Sequence, residues 1–509
     1  MTLTLNDYRQ KLLGCWMGKN IGGTLGAPFE GYQKSFDIDF YTHDISGDPL
    51  PNDDLDLQLV WLYALEKYGN QVNASILGEL WHSYITADWC EYGAGKNNMR
   101  IGLNPPLSGY VNNPFRDSNG AWIRSEIWAS VAPGHPEIAV QYAYEDGIVD
   151  HSHEGVYSEI FCAALQSAAF CKNSTDDMEE LIQIGLSYIP TDCGVAKGVA
   201  VALEAYHSGL TWLEARKKVL NAVPGSFGVA FQPPIEKDVP IGPLGWDAPG
   251  NIGIVVIGLM YGEGDFGKSI CIATGCGEDT DCTAGTVGAT LGIILGIDNI
   301  PEKWINPIGR NIKTMCLNQT DWIFIAPKTI DELTDRILKV TPFILGSKWC
   351  DYVNSADGYS IQVQDDLRCP PNRSQNEFRY IQDFSEKLKC SPFGVRDDFI
   401  IFNTMLDYGG EPIIQEGKTR KFRLRIENNL GRQQWLNVKW HTPNNIQISP
   451  GKNINISLEH YHAGSKGWTE IEFDLTGTDL CKDRYDLLIE ITSHGRHTKG
   501  FIPVVLLLA

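Results

Sequence analysis

Residues 12–30 read LLGCWMGKNIGGTLGAPFE, with glycine at positions 14, 18, 22 and 26. Positions four apart stack on one face of an α-helix, so these glycines leave a nearly continuous bare stripe. Each Gly costs roughly 1 kcal/mol of helix propensity against Ala, so four in one stripe point to close packing as the reason for them. The stretch after residue 282 repeats the device at Gly288, Gly292 and Gly296. Bare faces let helix axes approach closely, as they do in membranes. Lys19 and Asn20, and a longest uncharged apolar run (Cys282–Ile297) too short to span a bilayer, argue for the water-soluble version.

Outward from these helices, the 509-residue chain keeps helical periodicity to about residue 345. Val156–Phe170, Gly194–Tyr206 and Asn251–Tyr261 are examples, rich in good helix formers. Thr329-Ile330-Asp331-Glu332 has the form of a capping box and predicts a helix through about Leu338. The pattern breaks between 346 and 394, most plainly at Cys369-Pro370-Pro371-Asn372-Arg373. From about residue 395 the period becomes two, as in Phe422–Ile426, Ile471–Leu475 and Leu487–Ile491, with turn-rich Thr442–Asn445 and Ser449–Lys452 between. The expectation is a mainly α chain: a helical domain over 1–345, an irregular linker over 346–394, and an appended immunoglobulin-like β-sandwich over 395–509. Trp435 and Trp440 are an odd number of residues apart, which puts one in the sandwich core and the other outside. A carbohydrate-binding surface and an interdomain or dimer contact are both open as that domain's role.

With 42 basic against 63 acidic residues, the formal charge of −21 argues against nucleic acid or an anionic membrane as partner. A small anionic ligand is not excluded, because local amide nests or a bound cation override the global field. The 13 cysteines show no CxxC pair, which predicts reduced thiols and a cytoplasmic setting. The first residues show no basic stretch followed by an apolar one, so no signal peptide is expected.

Acids flank both glycine-striped segments. Glu30 follows the first, Asp279 and Asp281 precede the second, and Asn52-Asp53-Asp54 with Asp56 precede an amphipathic helix to about Tyr68. Singly, each group reads as ordinary N-capping and dipole compensation. Asp279 and Asp281, two apart in an extended loop, project to one side while Thr280 points away. Gathering such carboxylates costs free energy unless a cation relieves the repulsion, and an all-oxygen set suits Mg²⁺ or Mn²⁺.

Other groupings read more plainly. His151-Ser152-His153-Glu154 is expected as a loop before a helix rather than a zinc site, and Gly262–Gly267 as a turn with Asp265 as N-cap. Of the aromatics from Trp81 to Trp128 most are expected in the core, whereas Pro105–Pro114 is a non-helical loop suited to lining a binding site.

Gly22-x3-Gly26-x-Pro28-x-Glu30, Asn52-Asp53-Asp54, Ser118-Asn119-Gly120-Ala121-Trp122-Ile123-Arg124 and Gly277-x-Asp279-Thr280-Asp281-Cys282 occur in the order found in ADP-ribosylglycohydrolases. The chain resembles that family over about residues 8–340. The resemblance implies an all-helical orthogonal bundle. It also implies a hydrolase acting at the anomeric carbon of an N- or O-linked ADP-ribosyl group, assisted by two Mg²⁺ ions. It places Asn52, Asp53, Asp54, Asp279, Asp281 and Cys282 at the metal, with Glu30, Asp54 and Asp279 as the catalytic group and Glu30 as general base or water-positioner. Asn119, Gly120, Arg124, His153, Gly155 and Tyr157 match places that contact the ADP-ribose body.

Both clusters depart from the family pattern: Asn52 and Leu55 stand where the first usually has hydroxyl residues, and Cys282 stands where a ligating Thr often sits. A thiolate is too soft for Mg²⁺. One tight and one weak metal, or a shell completed by Asp56 and water, are the alternatives. The implied partner is a small molecule or an ADP-ribosylated or glycosylated substrate. A furanoside or nucleoside-like substrate, and a non-catalytic ligand-binding relative, stand as the other readings.

Overall fold

The computed structural model describes residues 1–223, 246–320, 323–353, 358–369, 388, 391–460 and 465–509. They divide into two compact units, Met1–Ala94 with Asn113–Pro370, and Gly95–Asn112 with Pro371–Ala509.

The first unit is helical, and its organising contact joins the two glycine stripes. The first helix, Leu5–Gly26, opens on Thr4, whose hydroxyl accepts from the Asp7 amide. It lies against Thr280–Leu295. A Cβ built on Gly14, Gly18, Gly22 or Gly26 would fall 2.1, 2.0, 2.1 and 2.2 Å from the carbonyl oxygens of Gly292, Gly288, Ala284 and Thr280. No side chain fits at those distances. The pairing is antiparallel, so the end of the first helix, which leads to Glu30, meets the start of the second. Gly296 ends the stripe: its carbonyl carbon would lie 3.0 Å from a Cβ on Gly14, and it caps the helix C-terminus at φ 71°, a left-handed conformation that favours glycine.

The expected helices are present as Glu154–Ala169, Gly194–His207, Ala248–Tyr261 and Ile330–Leu345, the last running beyond Leu338. Asp265 caps Phe266–Gly275 through the Lys268 amide, 2.7 Å away. No helix among the described residues is long and apolar enough to cross a membrane.

Part of the segment expected as linker is ordered. Ser360–Gln362 pairs on one side with Thr2–Thr4 and on the other with Cys350–Asp351 in a three-stranded sheet. Residues 370–373 of the predicted break lie outside the described residues. His135 anchors the sheet: it is fully buried, and its Nε2 is 2.8 Å from the Gln362 carbonyl.

Burial drives the His135 pKa down from 6.5 to about 4, with the Gln362 carbonyl opposing the fall. The unfolded ring binds a proton near pH 6.5 and the folded ring only near 4, so stability present above pH 6.5 is lost as pH falls through that window. At about 1.4 kcal/mol per pH unit, the loss reaches about 3 kcal/mol. Urea unfolding across this window should show the gap between wild type and His135→Asn narrowing in acid. A gap constant with pH would refute the assignment.

The second unit holds two five-stranded sheets. One runs Asn453–Leu458, Gln434–His441, Arg484–Ser493, Lys499–Leu508, Ile413–Ile414; the other Gly394–Asp398, Phe402–Asp407, Thr419–Asn428, Trp468–Gly477, Ile446–Ser449. Their inward residues form one core: Phe422, Leu424 and Ile426 from the second sheet, and Val438, Trp440, Ile489 and Ile491 from the first. Phe473 lies opposite Phe422 across the ladder, and both pack edge-on to Trp440. Alternation buries Trp440 and leaves Trp435 exposed, as the odd spacing requires.

Leu103, Leu107 and Val111 also belong to this core. The 105–114 segment, expected as a non-helical binding loop, contains the single-turn helix Leu107–Tyr110 and uses its apolar residues to close the sandwich.

Candidate active site

The antiparallel glycine contact delivers three acidic groups to one place. The loop after the first helix is tied to the segment before the second by Gly31 N–H donating to Glu278 O and Glu278 N–H donating to Tyr32 O, both 2.9 Å. Glu30 is thereby held beside Asp279 and Asp281. The helix Asp53–Tyr68 contributes Asp53 and Asp54, with Asn52 as its N-cap.

Asn52 behaves as the capping reading predicts. Its Oδ1 accepts from the Asp54 amide at 2.7 Å, and its Nδ2 donates to Asp281 Oδ2 at 3.2 Å. Asp279 does not: it occupies the N-cap position of Thr280–Leu295 but makes no side-chain cap bond. The helix begins at Thr280 rather than after 282, so Asp281 lies in its first turn and not in an extended loop. The two carboxyls still share a side, because the Thr280 hydroxyl turns away to donate to Gly26 O at 2.8 Å.

Asp279 Oδ2 accepts from Asn119 Nδ2 at 2.8 Å, and the Asp279 amide donates to Asn251 Oδ1 at 3.1 Å. The other oxygens, Asp279 Oδ1 and Asp281 Oδ1, are buried and meet no protein donor. Ligating atoms of Glu30, Asp279 and Asp281 lie within 4.8 Å of one another, as do those of Asp54, Asp281 and Cys282. Asp53 stands beside these two sets, its Oδ2 accepting from the Tyr92 hydroxyl at 2.9 Å.

The electrostatics follow from this crowding. Glu30 is exposed as a residue, but its carboxyl leans into the group; Asp281 first, then burial, Asp53 and Asp54, raise its pKa to about 9. Burial first, then Asp54 and Asp281, raise Asp53 to about 8. Asp281 rises to about 6, and Asp279 well above its ordinary value, each mainly through burial and its acidic neighbours. Burial also pushes the Cys282 thiol well up, and the thiol donates to Asp54 Oδ1 over 3.3 Å. Buried carboxylate oxygens without donors, crowded by like charge, fit a divalent cation with oxygen ligands. Asp56 falls in neither set of candidate ligands, and its Oδ2 accepts from the Met315 and Cys316 amides at 2.7 and 2.8 Å.

The ADP_ribosyl_GH profile, described as ADP-ribosylglycohydrolase, matches residues 4–342. The chain belongs to the ADP-ribosylglycohydrolase family. Among solved structures, this family member is similar to an ADP-ribosylglycohydrolase-related protein complex at 16% identity, covering 67% of this chain and 98% of that one, with a TM-score of 0.41. Two shorter matches each cover 18% of this chain. They are a FixG-related protein from Vibrio parahaemolyticus (11% identity, 80% of that chain, TM-score 0.15) and the cupredoxin domain of amoB from Nitrosocaldus yellowstonii (12%, 55%, 0.14). No curated protein matches the sequence significantly.

Several residues expected at the ADP-ribose body have other work in this chain. Arg124 is fully buried, donating to Asp146 at 2.8 Å, Asp150 at 2.6 Å and Gly120 O at 2.6 Å, so its guanidinium is a structural hub rather than a ligand contact. Gly120 is buried against Glu91, whose Oε1 would lie 2.0 Å from an added Cβ. Asn119 reaches the acids but not as a free group, since its Oδ1 accepts from Trp122 Nε1 at 3.0 Å. Gly155 is buried, with its amide on Ser152 O. His153 is exposed at the N-cap of Glu154–Ala169, with φ 45°, and Tyr157 is half-buried one turn on. His151 sits between Asp150 and Ser118, and Glu154 caps Gly194–His207 through the Gly194 and Val195 amides. The segment is therefore the helix-preceding loop that the sequence predicts.

Sequence reasoning passed over Lys19, Tyr92 and Asn251. Lys19 carried a signal: a lysine inside a glycine-striped, otherwise uncharged helix run must be paired if it is buried. Tyr92 and Asn251 carried none, because their contacts cross from other helices.

Proposed function

We propose that this chain hydrolyses the N- or O-glycosidic bond at the anomeric carbon of an ADP-ribosyl group, using divalent metal held by Asp279, Asp281 and Glu30. The observation that carries this reading is the pair of buried oxygens, Asp279 Oδ1 and Asp281 Oδ1, that meet no protein donor beside a third carboxylate. A bound Mg²⁺ supplies a Lewis acid that anchors sugar hydroxyls and polarises water. Glu30, the exposed acid of the group, would orient the attacking water and, once a bound cation has displaced its own proton, accept the proton of that water. Asn119 and Asn251 hold the Asp279 side chain and backbone in place. The ring of carboxylates favours positive charge building on the sugar as the bond to the leaving group breaks.

One observation favours a second reading, a furanoside or nucleoside-like glycoside without a pyrophosphate. Arg124 and the Gly155 amide are already engaged, and the Glu154 amide faces the Asp117 carboxylate at 3.3 Å, which disfavours an anion there. Calorimetric titration of ADP-ribose into metal-free protein, with and without Mg²⁺ and repeated on Asp279→Ala, separates the two. Micromolar binding that needs Mg²⁺ and vanishes in the variant is the expected result. Metal binding without ADP-ribose binding would move the assignment to the second reading.

A further inference from the structure

Asp54 is held differently from Asp279 and Asp281. Lys19 Nζ lies 3.1 Å from its Oδ2, and the Cys282 thiol donates to its Oδ1 over 3.3 Å. The thiol hydrogen-bonds Oδ1, while Oδ2 faces the ammonium as an ion pair without a hydrogen bond. Lys19 is only 2% exposed and cannot swing to solvent. Its ammonium also donates to Ile123 O at 2.8 Å and lies 3.3 Å from Glu126 Oε1, so it is fixed between two carboxylates. The neighbours offer no replacement ligand: Leu55 has no donor atom, Asn52 uses its oxygen to cap Asp54, and Asp56 faces the 315–316 amides. The two candidate sets that share Asp281 therefore divide. The Glu30–Asp279–Asp281 set is made of carboxylates alone, while in the Asp54–Asp281–Cys282 set Asp54 already faces the Lys19 ammonium and the Cys282 thiol.

We propose that Lys19 is a built-in cation that takes the place of a second metal, so that the centre holds one divalent ion. The proposal rests on the metal site assigned under Proposed function. The physical reason is charge: a fixed ammonium beside Asp54 already neutralises that carboxylate, and in a buried setting it repels a divalent ion placed next to it. The same helix that brings its bare stripe to Thr280–Leu295 carries Lys19 inward beside Gly18. The cation and the glycine contact therefore come as one unit.

The test is Mn²⁺ alone, titrated calorimetrically into the metal-free full-length protein, with the bound metal then counted and its electron paramagnetic resonance spectrum recorded. One Mn²⁺ per chain with an uncoupled six-line spectrum is the expected result. In Lys19→Met, which keeps the length and removes the charge, a second Mn²⁺ should enter and the spectrum should show an exchange-coupled pair. Two Mn²⁺ bound equally tightly by the wild type, or a folded Lys19→Met that still binds one, would overturn the proposal and leave the metal site standing. No Mn²⁺ bound at all would overturn both. If Lys19→Met does not fold, the wild-type count and spectrum decide the matter alone.

Discussion

Asp281→Asn should make the metal-free protein more stable while cutting its affinity for Mg²⁺ or Mn²⁺ by about a hundredfold or more. The two effects have one cause. Asp281 is the carboxylate common to both acidic sets, and it is the first-named source of the pressure on Glu30. Without a cation its charge repels Glu30, Asp53, Asp54 and Asp279 in a buried setting, so a neutral isostere relieves the group. With a cation present the same charge is what binds. Loss of a residue that merely supports a ligand typically costs 10–100-fold in metal affinity, and loss of a direct ligand should cost at least about as much. Thermal unfolding with and without Mg²⁺ reads both signs: a higher midpoint than wild type without metal, and a smaller rise when metal is added. A variant less stable than wild type without metal, yet equally stabilised by Mg²⁺, would show that Asp281 is a structural residue and would remove the metal assignment. The proposed hydrolysis of an ADP-ribosyl bond should fall with metal occupancy.

Gly18→Ala should destabilise the helical unit by about 3 kcal/mol or more, although Ala favours a helix over Gly by about 1 kcal/mol. The added Cβ would lie 2.0 Å from Gly288 O and 2.4 Å from Gly288 C. These are backbone atoms, so no rotamer change makes room and the two helices must separate. Separation also pulls the loop bearing Glu30 from the turn bearing Asp279, so metal affinity should fall together with stability. Gly250→Ala is the control, since its Cβ would meet Leu220 Cδ2 at 3.4 Å and Val223 O at 3.9 Å, both ordinary contacts, within a regular helix. Urea unfolding should show a lower midpoint at unchanged slope for Gly18→Ala and little change for Gly250→Ala. Equal losses in the two variants would show that close helix contact is not what Gly18 serves.

Local patterns in the sequence decided a great deal. The glycine stripes, the helical period to about 345, the switch to period two and the odd spacing of Trp435 and Trp440 each depend on the geometry of one element. They read correctly because that geometry repeats every few residues. The acids were visible because three groups of them flank helix starts and ends. Their meaning was not settled locally, since Asn52 truly caps its helix while Asp279, in the same kind of position, does not.

Tertiary structure decided what each polar group faces. Arg124, which the resemblance puts at the ADP-ribose body, goes to Asp146 and Asp150; Asp56 goes to the 315–316 amides; Lys19 goes to Asp54; and the 105–114 segment goes to the sandwich core. A buried charge takes whichever partner the fold brings within reach, and those partners stand tens to hundreds of residues away in the chain. The sequence by itself determined which residues could carry charge and which helices could touch. Only the packing of the helices determined which carboxylates were left with open oxygens, because that depends on the donors neighbouring elements happen to supply.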